Sequence, residues 1–394
     1  MEIKTIFRTM LAAVMAAALS FSSCSLIDDG SQVEKPGDET PGDENPGDNT
    51  GEPSEKELTV QLSTSLITAD GLSFAEIKVF LGSEQVTEGV KFYDAYTNKP
   101  VSIPDFIFTA NTAGNYTFWA SYKTYVSKAF TITAISSQVP NLPQDTDPSN
   151  TSFARRVLIV DFTGTGCGYC PFMISLLHKF GLDAQNSDRY LLAACHSFNE
   201  SDPSFFKPNL DGAMGVASYP TLVLDMNSAK KFSNYQSLSS FQTTFNSEYA
   251  AENAECGIAV SNVVDGNQLI INIAVKAAVS GEYRVAAMVL EDGIQAKQSN
   301  SGAAKIDGVD FDVHNHSIRA ICGQRSSVDF SGNSLTIGAG ESAEQFFIVD
   351  IDEAWKAENL NLIVYVTTDK NKKFTVNNAV ACPVNGSVGF DYAK

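Results

Sequence analysis

The stretch VLIVDFTGTGCGYCPFMISLLHKFG, from Val157 to Gly181, decides how this chain is interpreted. An apolar, β-branched run enters a glycine-containing turn, in which Cys167 and Cys170 are separated by two residues. The apolar residues that follow repeat at the spacing of one helix face: Met173, Leu176, Leu177 and Phe180. The stretch therefore predicts a strand, a turn that carries two cysteines, and a helix that Gly181 ends.

The cysteine pair has three chemical interpretations. In a redox centre, Cys167 would stand at the helix start, where backbone N–H groups and the helix dipole lower a thiol pKa, and Cys170 would be the resolving thiol. A zinc clip shares the spacing but needs a second pair of ligands, and the adjacent Cys195 and His196 have the wrong geometry. A permanent disulfide in a scaffold is the third. The sequence predicts neither a metal nor a cofactor.

The pattern around the pair resembles the thioredoxin superfamily. Asp161 lies six positions before Cys167, and YPTLVLD, which contains Pro220, follows about 50 residues later. The resemblance implies that Asp161 relays the proton of the resolving cysteine and that Pro220 is a cis-proline whose backbone docks the substrate chain. The Gly-Tyr dipeptide between the cysteines is similar to that of the periplasmic disulfide isomerases. Two departures are Gly166, where that superfamily carries Trp, and Pro171 after the second cysteine.

The first residues predict a cleaved signal and a lipid anchor. Lys4 and Arg8 precede an apolar run at residues 10–21, which is too short for a permanent membrane helix. The run ends in FSSC, which resembles a bacterial lipobox, although Phe21 departs from the usual aliphatic residue. We therefore predict a signal peptide over residues 1–23 and lipidation of Cys24.

An acidic tether is predicted over residues 24–57. It repeats a Pro-Gly-Asp unit and holds 11 acidic and 2 basic residues between Asp28 and Glu57, nearly half of the chain's net charge of −19. Such a segment cannot bury apolar surface and stays extended. The acidic chain is not expected to bind nucleic acid.

The predicted fold class is multidomain α/β plus all-β. Strand patterns at residues 58–135 predict an immunoglobulin-like sandwich with Tyr116 and Trp119 in its core. The proline, serine and acidic residues of 136–152 predict a linker. Alternating strand and helix patterns predict a thioredoxin-like domain at 153–254, and a second β-sandwich follows at 255–394.

From about Arg155 to its end, the chain resembles Bacteroidetes outer-membrane lipoproteins related to outer membrane protein twenty-eight. The resemblance rests on GTGCGYCP around the cysteine pair and on HNHSIRA at residues 314–320. It implies a lipid-anchored protein of the outer membrane that faces the periplasm or the cell surface. The acidic residues Asp28 and Asp29 after the lipidation site resemble a surface-export signal of such lipoproteins.

Two function classes stay open. In the enzyme interpretation, Cys167 attacks, Cys170 resolves, Asp161 relays the proton and Pro220 docks cysteine-containing envelope proteins, with a redox partner that recycles the pair. In the binding interpretation, the cysteines form a permanent disulfide in a surface adhesion scaffold. Asp161 and Pro220 favour retained chemistry, whereas a protein on the cell surface need not meet a redox partner.

Two further patterns are less specific. In VDFDVHNH, at residues 309–316, strand alternation would place four metal-binding side chains on one face: Asp310, Asp312, His314 and His316. A plain amphipathic strand explains that pattern equally well and is preferred. The remaining cysteines allow three pairings that the sequence does not rank: Cys195, Cys256, Cys322 and Cys382. Some of them are expected to pair in an oxidising envelope, and Cys195 is expected to stay a buried thiol.

Overall fold

The computed structural model describes residues 57–370 and 373–393. The predicted signal peptide, the lipidation site Cys24 and residues 25–56 of the predicted tether lie outside the described residues. The chain divides into two compact units, one ending at Ala134 and the other beginning at Ile135. Within the described ranges, the search for a helix long and apolar enough to cross a membrane finds none.

The first unit is built from strands in two sheets around one core. Its strands are β1 (Leu58–Leu62), β2 (Leu66–Thr68), β3 (Phe74–Leu81), β4 (Glu84–Val86), β5 (Lys91–Asp94), β6 (Pro100–Val101), β7 (Ile107–Thr109), β8 (Gly114–Tyr122), β9 (Tyr125–Val126) and β10 (Phe130–Ile135), with a 3-10 turn at Pro104–Phe106. One sheet has the order β1-β3-β4 with β7 on β3, and the other has the order β2-β10-β8-β5-β6 with β9 on β8. Both sheets contribute to the core, for example through Ile77 and Phe118.

Alternation along β8 decides which aromatic side chains enter this core. Phe118 is buried in it, and Tyr116 packs against it as predicted. The predicted place of Trp119 in the core is wrong, because this residue lies on the opposite face of the strand. Its indole stacks on Tyr93, with ring centroids 4.2 Å apart, and its Nε1 donates a hydrogen bond to Oδ1 of Asn98 at 3.2 Å.

The second unit begins with the predicted strand and helix of the cysteine stretch. Its helices are α1 (Cys170–Gly181), α2 (Leu210–Met214) and α3 (Leu238–Ala251), with 3-10 turns at Ala184–Asn186 and Ala357–Asn359. Its strands are β11 (Val157–Thr163), β12 (Tyr190–His196), β13 (Thr221–Leu224), β14 (Lys231–Phe232), β15 (Cys256–Asp265), β16 (Gln268–Ala277), β17 (Gly281–Glu291), β18 (Ile294–Gln295), β19 (Val313–His314), β20 (Ser317–Cys322), β21 (Asn333–Ile337), β22 (Ser342–Asp350), β23 (Leu360–Asp369), β24 (Phe374–Pro383) and β25 (Ser387–Val388).

A nine-stranded sheet runs through this unit in the order β14-β13-β11-β12-β20-β17-β23-β24, with β21 on β17. Among the described residues, 44% are strand and 12% are helix, and the helices are three and short. The predicted fold class, a thioredoxin-like α/β core between two β-sandwiches, is therefore wrong. The fold is β-rich, and the strands after the cysteine stretch continue into strands from the C-terminal part of the chain.

The reason for this continuation lies at β12. Its outer edge would leave backbone groups unpaired, and an exposed strand edge is a liability in a folded protein. Here β20 pairs with it in parallel at Ala194 and Ser317, and the N–H of Ala194 donates to the carbonyl of His316 at 2.7 Å. Local periodicity cannot reveal such a pairing, because the partners are more than 100 residues apart in the sequence.

Three cores fill the second unit. Helices α1 and α3 cover one face of the β11 region, where Val157, Met173 and Phe241 are buried together. Side chains from the other face, such as Leu158, form a second core with β17 and β23. The third lies between the C-terminal half of the large sheet and a four-stranded sheet of order β22-β16-β15-β25. The site described next thus rests on strands that are buried on both faces.

The segment predicted as a linker is fixed to the second unit by a buried lysine. Nζ of Lys276 donates to Oδ2 of Asp145 and to the carbonyl of Pro148, both at 2.8 Å, and to the hydroxyl of Tyr392 at 3.0 Å. The lysine side chain is 2% exposed. A buried charge is tolerated only when it is paired and hydrogen-bonded, so these contacts hold the segment in place.

Candidate functional site

The cysteine pair forms a disulfide in the turn between β11 and α1. Helix α1 begins at Cys170, so Cys167 lies three residues before it, in the turn rather than at the predicted helix start. The N–H of Cys167 donates to the carbonyl of Gly164 at 3.0 Å, which closes the turn. Cys167 is 3% exposed and Cys170 is 0% exposed, so both sulfur atoms are shielded from solvent.

Asp161 is a buried carboxyl group on the strand that leads into this turn. Val157 and Ile159 pack in the core that α1 covers, and strand alternation places Asp161 on their face. The residue is 4% exposed, and its Oδ1 has no hydrogen-bond partner among the described residues. Burial raises the pKa of Asp161 to about 7. At neutral pH the group can therefore either donate or accept a proton.

Pro220 lies at the same end of the sheet. Its peptide bond with Tyr219 is cis, as the resemblance implies. β13 is antiparallel to β11, with Thr221 opposite Phe162, so Pro220 falls opposite Thr163, the last residue of β11. The structure thus places Asp161 on the strand that leads into the cysteine turn, and Pro220 at the start of the strand paired with it.

A buried histidine–aspartate pair supports the turn from another segment. Nδ1 of His196 and Oδ2 of Asp202 are 2.8 Å apart, and Asp202 also accepts hydrogen bonds from the N–H groups of Thr165 and Ser204. Burial alone would raise the pKa of Asp202, but the hydrogen bonds from His196 and from the backbone outweigh it and lower that pKa to about 2. Asp202 therefore stays ionised and fixes the backbone of the turn at Thr165.

The ring of His314 stands edge-on to that of His196, with ring centroids 5.1 Å apart. Nε2 of His314 lies 3.0 Å from the carbonyl oxygen of Ala296. Burial lowers the pKa of His314. His314 therefore contacts both His196, whose pair with Asp202 supports the turn, and the segment that begins at Ala296.

That segment, residues 296–304, covers the disulfide turn and is called the cover segment below. Nε2 of Gln298 donates to the carbonyl oxygens of Cys167 at 2.9 Å and of Gly164 at 3.2 Å. Gln298 itself is buried. The cover segment thus binds the backbone of the turn directly.

The backbones of the cover segment and the turn approach closely. The N–H of Ser299 donates to the carbonyl of Thr165 at 2.7 Å. A Cβ atom added at Gly168 would lie 2.3 Å from Oγ of Ser301. Only glycine fits at position 168, because any side chain would displace the cover segment.

Sequence reasoning missed the cover segment and the His196–Asp202 pair. The glycines of the turn were the available signal, because a glycine often marks a close backbone approach. Gly166 is an example, since a Cβ at this position would lie 2.8 Å from Oδ1 of Asn199, which accepts a hydrogen bond from the Gly166 N–H. This packing accounts for the absence of the Trp that the resemblance led us to expect.

An exposed aromatic group borders the covered disulfide. Tyr169, between the two cysteines, is 52% exposed. It stacks with Phe172 and Tyr235, with ring centroids 6.4 Å and 6.2 Å away. Tyr169 therefore presents an aromatic side chain of the turn to other molecules.

The acidic and histidine stretch at residues 309–316 is not one extended strand. Only Val313 and His314 are in a strand, whereas residues 311–312 are in a turn and His316 has a φ of 57°. The predicted alternation of four side chains on one face is therefore wrong. Among the described residues, no group of three or more His, Cys, Asp or Glu side chains is arranged to hold a metal ion.

The four other described cysteines are buried thiols: Cys195, Cys256, Cys322 and Cys382. The disulfides expected among them do not form, whereas Cys195 is the buried thiol that was predicted. Burial raises the pKa of Cys195 and of Cys256. Protonated thiols in apolar cores behave as small hydrophobic side chains, so these residues are not placed for exchange chemistry.

Comparison with known proteins identifies one family. The model of the family described as outer membrane protein Omp28 matches residues 208–386, which is less than half of the chain. The match confirms the predicted location at the outer membrane. It includes the HNHSIRA stretch but not the cysteine turn, so the chemistry of the disulfide does not follow from it.

Solved structures give weaker similarity. HBP35 of Porphyromonas gingivalis is 18% identical, with a TM-score of 0.48, over 62% of this chain and 79% of that one. A DUF4785 family protein from Legionella pneumophila is 7% identical, with a TM-score of 0.19, over 84% of this chain and 56% of that one. With TM-scores below 0.5, neither carries an argument about function. No curated protein matches the chain.

Proposed function

We propose that this outer-membrane-associated protein carries out thiol–disulfide exchange and that Cys167–Cys170 is the reacting bond. The observation that carries the proposal is Asp161. A buried carboxyl group with an unpartnered oxygen costs stability, and a permanent disulfide has no proton to transfer. A carboxyl group with a pKa of about 7, on the face covered by the helix that begins at Cys170, is suited to protonate a departing thiolate.

The exchange proceeds in two displacements. A thiolate of a cysteine-containing envelope protein attacks Sγ of Cys167, a new S–S bond forms, and the electron pair of the broken bond goes to Sγ of Cys170. Asp161 protonates that sulfur. A second thiolate of the partner then attacks the partner's own sulfur in the mixed disulfide and releases Cys167. The partner is oxidised to a disulfide, and the pair is reduced to two thiols.

In the reverse direction, the Cys167 thiolate attacks a partner disulfide and Cys170 resolves the mixed disulfide. The backbone before Pro220 is the proposed docking strand for the partner chain, because it lies opposite the end of β11. The hydroxyl of Tyr219 holds this backbone through Oδ2 of Asp211 at 2.7 Å and Oγ of Ser197 at 3.0 Å.

A reduction potential tests the proposal. The full chain is equilibrated with glutathione mixtures, thiols are trapped by alkylation, and the peptide with Cys167 and Cys170 is quantified by mass spectrometry. Working oxidoreductases lie between about −270 and −120 mV, and structural disulfides lie below about −300 mV. We expect a value in the first range. A value below about −300 mV would reject exchange chemistry.

The burial of both sulfur atoms favours a second function, that of a non-catalytic surface-binding protein in which the disulfide fixes a scaffold. A potential below about −300 mV would be the result expected for it. In that case the exposed side chain of Tyr169 would be available for a binding partner. Tyr169→Ala would then weaken binding without altering the disulfide.

We also propose that an acyl chain on Cys24 anchors the protein to the outer membrane. A protein that an acyl chain holds at the membrane needs no transmembrane helix. Growing cells with labelled palmitate and comparing the wild type with Cys24→Ala tests the anchor. The variant should lose the label and leave the membrane fraction. Unchanged labelling would contradict the proposal.

A further inference from the structure

The cover segment is bonded to a turn whose sulfur atoms must be accessible for exchange chemistry. A thiolate must approach Sγ of Cys167 along the S–S axis, yet Cys167 is 3% exposed. In addition to the bonds from Gln298 and Ser299, the N–H of Gly302 lies 3.5 Å from the carbonyl of Gly168. A Cβ atom at Gly302 would lie 2.2 Å from the ring of Phe172, so the segment also packs on the first turn of α1.

The base of the cover segment is fixed independently of the disulfide turn. The N–H of Ala296 donates to the carbonyl of Asp312 at 2.9 Å, and the N–H of Gln298 donates to Oδ1 of Asp312 at 2.8 Å. His314 contacts the carbonyl of Ala296 from β19. The tip, which runs from the side chain of Gln298 to residue 302, can therefore leave the turn while the base, which includes the backbone of Gln298, stays attached to this hairpin.

Gln298 makes the side-chain contact between the tip and the turn. Both of its bonds to the turn use Nε2, whereas its Oε1 is buried without a hydrogen-bond partner among the described residues. The buried Oε1 loses its hydration, so the hydrogen bonds from Nε2 are the part of the side chain that stabilises the contact with the turn.

We propose that the cover segment is a lid, latched by Gln298, which must leave the disulfide turn before a partner thiolate can reach Cys167. This proposal rests on the proposed exchange function and adds its regulation. The site is latent when the lid is closed, and a partner that displaces residues 298–302 gains access to the bond. The reactivity of the disulfide is then set by lid opening, not only by its potential.

The rate of chemical reduction tests the lid in the full chain. Tris(2-carboxyethyl)phosphine converts the disulfide and one water to two thiols and a phosphine oxide, and alkylation of quenched samples follows the Cys167–Cys170 peptide. Gln298→Ala removes the two hydrogen bonds from Nε2 to the turn. One net hydrogen bond corresponds to roughly a fivefold change in an equilibrium, so we expect reduction to be about 20-fold faster.

Gln298→Glu is the second variant, and it leaves no cavity. A carboxylate in this position would face two carbonyl oxygens, so it should open the lid at least as far as the alanine variant. If Gln298→Ala does not fold, the reduction rate of Gln298→Glu tests the lid. Both variants should keep the melting temperature of the wild type within a few degrees, because the lid is a local element.

Gln345→Ala is the matched control. Gln345 is equally buried, donates Nε2 to a backbone carbonyl, that of Phe346 at 2.8 Å, and leaves Oε1 unpartnered within the described part of the chain. It lies in β22, away from the turn. Faster reduction of both Gln298 variants with an unchanged control supports the lid. Wild-type rates in the Gln298 variants, or an equal increase in the control, overturn it. The reduction potential is measured separately and tests the exchange function. A failure of the exchange proposal can therefore be distinguished from a failure of the lid.

Discussion

Two buried carboxyl groups, Asp161 and Asp202, belong to segments that meet at the disulfide turn, and their pKa values shift in opposite directions. Asp161 lies on β11 with one oxygen unpartnered, and burial raises its pKa to about 7. Asp202 is as deeply buried but accepts hydrogen bonds from His196, Thr165 and Ser204, and its pKa falls to about 2. Burial thus disfavours the charge at both sites, and the hydrogen-bond donors around Asp202 outweigh that effect.

Because their pKa values differ, the two carboxyl groups have different roles in the site. Asp202 keeps its charge at any physiological pH and fixes the backbone of the turn, whereas Asp161 changes protonation near neutrality. A proton-transfer group needs a pKa near the working pH, and a structural anion needs one far below it. The same residue type therefore serves two roles, and each role is set by the local supply of donors.

Among the variants that test this comparison, Asp161→Asn is expected to change the free energy of unfolding most. The folded pKa of about 7 lies above the unfolded value of 3.8, so the unfolded state loses its proton first. The free energy of unfolding should fall by about 4 kcal/mol between pH 4 and pH 7 because of this group, and the variant should lack that part of the slope. Guanidinium unfolding at a series of pH values measures it.

Asp352→Asn serves as the control for Asp161→Asn, since Asp352 is exposed in a turn. It removes a carboxyl group from the surface, so the comparison shows whether a change of slope is specific to the buried site. If Asp161→Asn kept the wild-type slope, Asp161 would be ionised at its site, and the proposed proton transfer to Cys170 would lose its donor.

A smaller effect is expected for Asp202→Asn. Its folded pKa of about 2 lies below the unfolded 3.8, so its contribution is present above pH 4 and is lost as the pH falls towards 2. The variant should be less stable than the wild type by about 2 kcal/mol at pH 6, and the difference should shrink in acid. Acid unfolding curves of the two proteins provide the measurement. A variant that is as stable as the wild type at pH 6 would contradict this role.

The smallest effect is expected for His196→Asn, which sharpens the comparison. The asparagine amide can still donate a hydrogen bond to Asp202, so the acid limb of the stability curve should persist at a cost of about 1 kcal/mol. The same unfolding series measures it. A loss equal to that of Asp202→Asn would show that the imidazole itself, and not a hydrogen bond to Asp202, keeps that carboxylate ionised.

Local features of the site could be predicted from the sequence. The strand at β11, the helix α1 and the cysteine turn follow from apolar spacing and turn residues within 25 positions. The positions of Asp161 and Pro220 relative to the turn followed from the resemblance. The Gln298 latch and the His196–Asp202 pair could not be predicted, because each contacts the turn across a gap in sequence that local periodicity does not span.

By itself, the sequence determined the outer-membrane location, the short-range elements around Cys167 and Cys170, and the β-rich character of the chain on either side of them. The tertiary structure alone decided that β12 pairs with β20 into one large sheet, that residues 296–304 cover the disulfide, and that two aspartates differ in pKa. The physical reason is the range of the interactions. Side-chain periodicity is a property of neighbours in the chain, whereas strand pairing, solvent exclusion and the supply of hydrogen-bond donors depend on segments that meet only in the folded state.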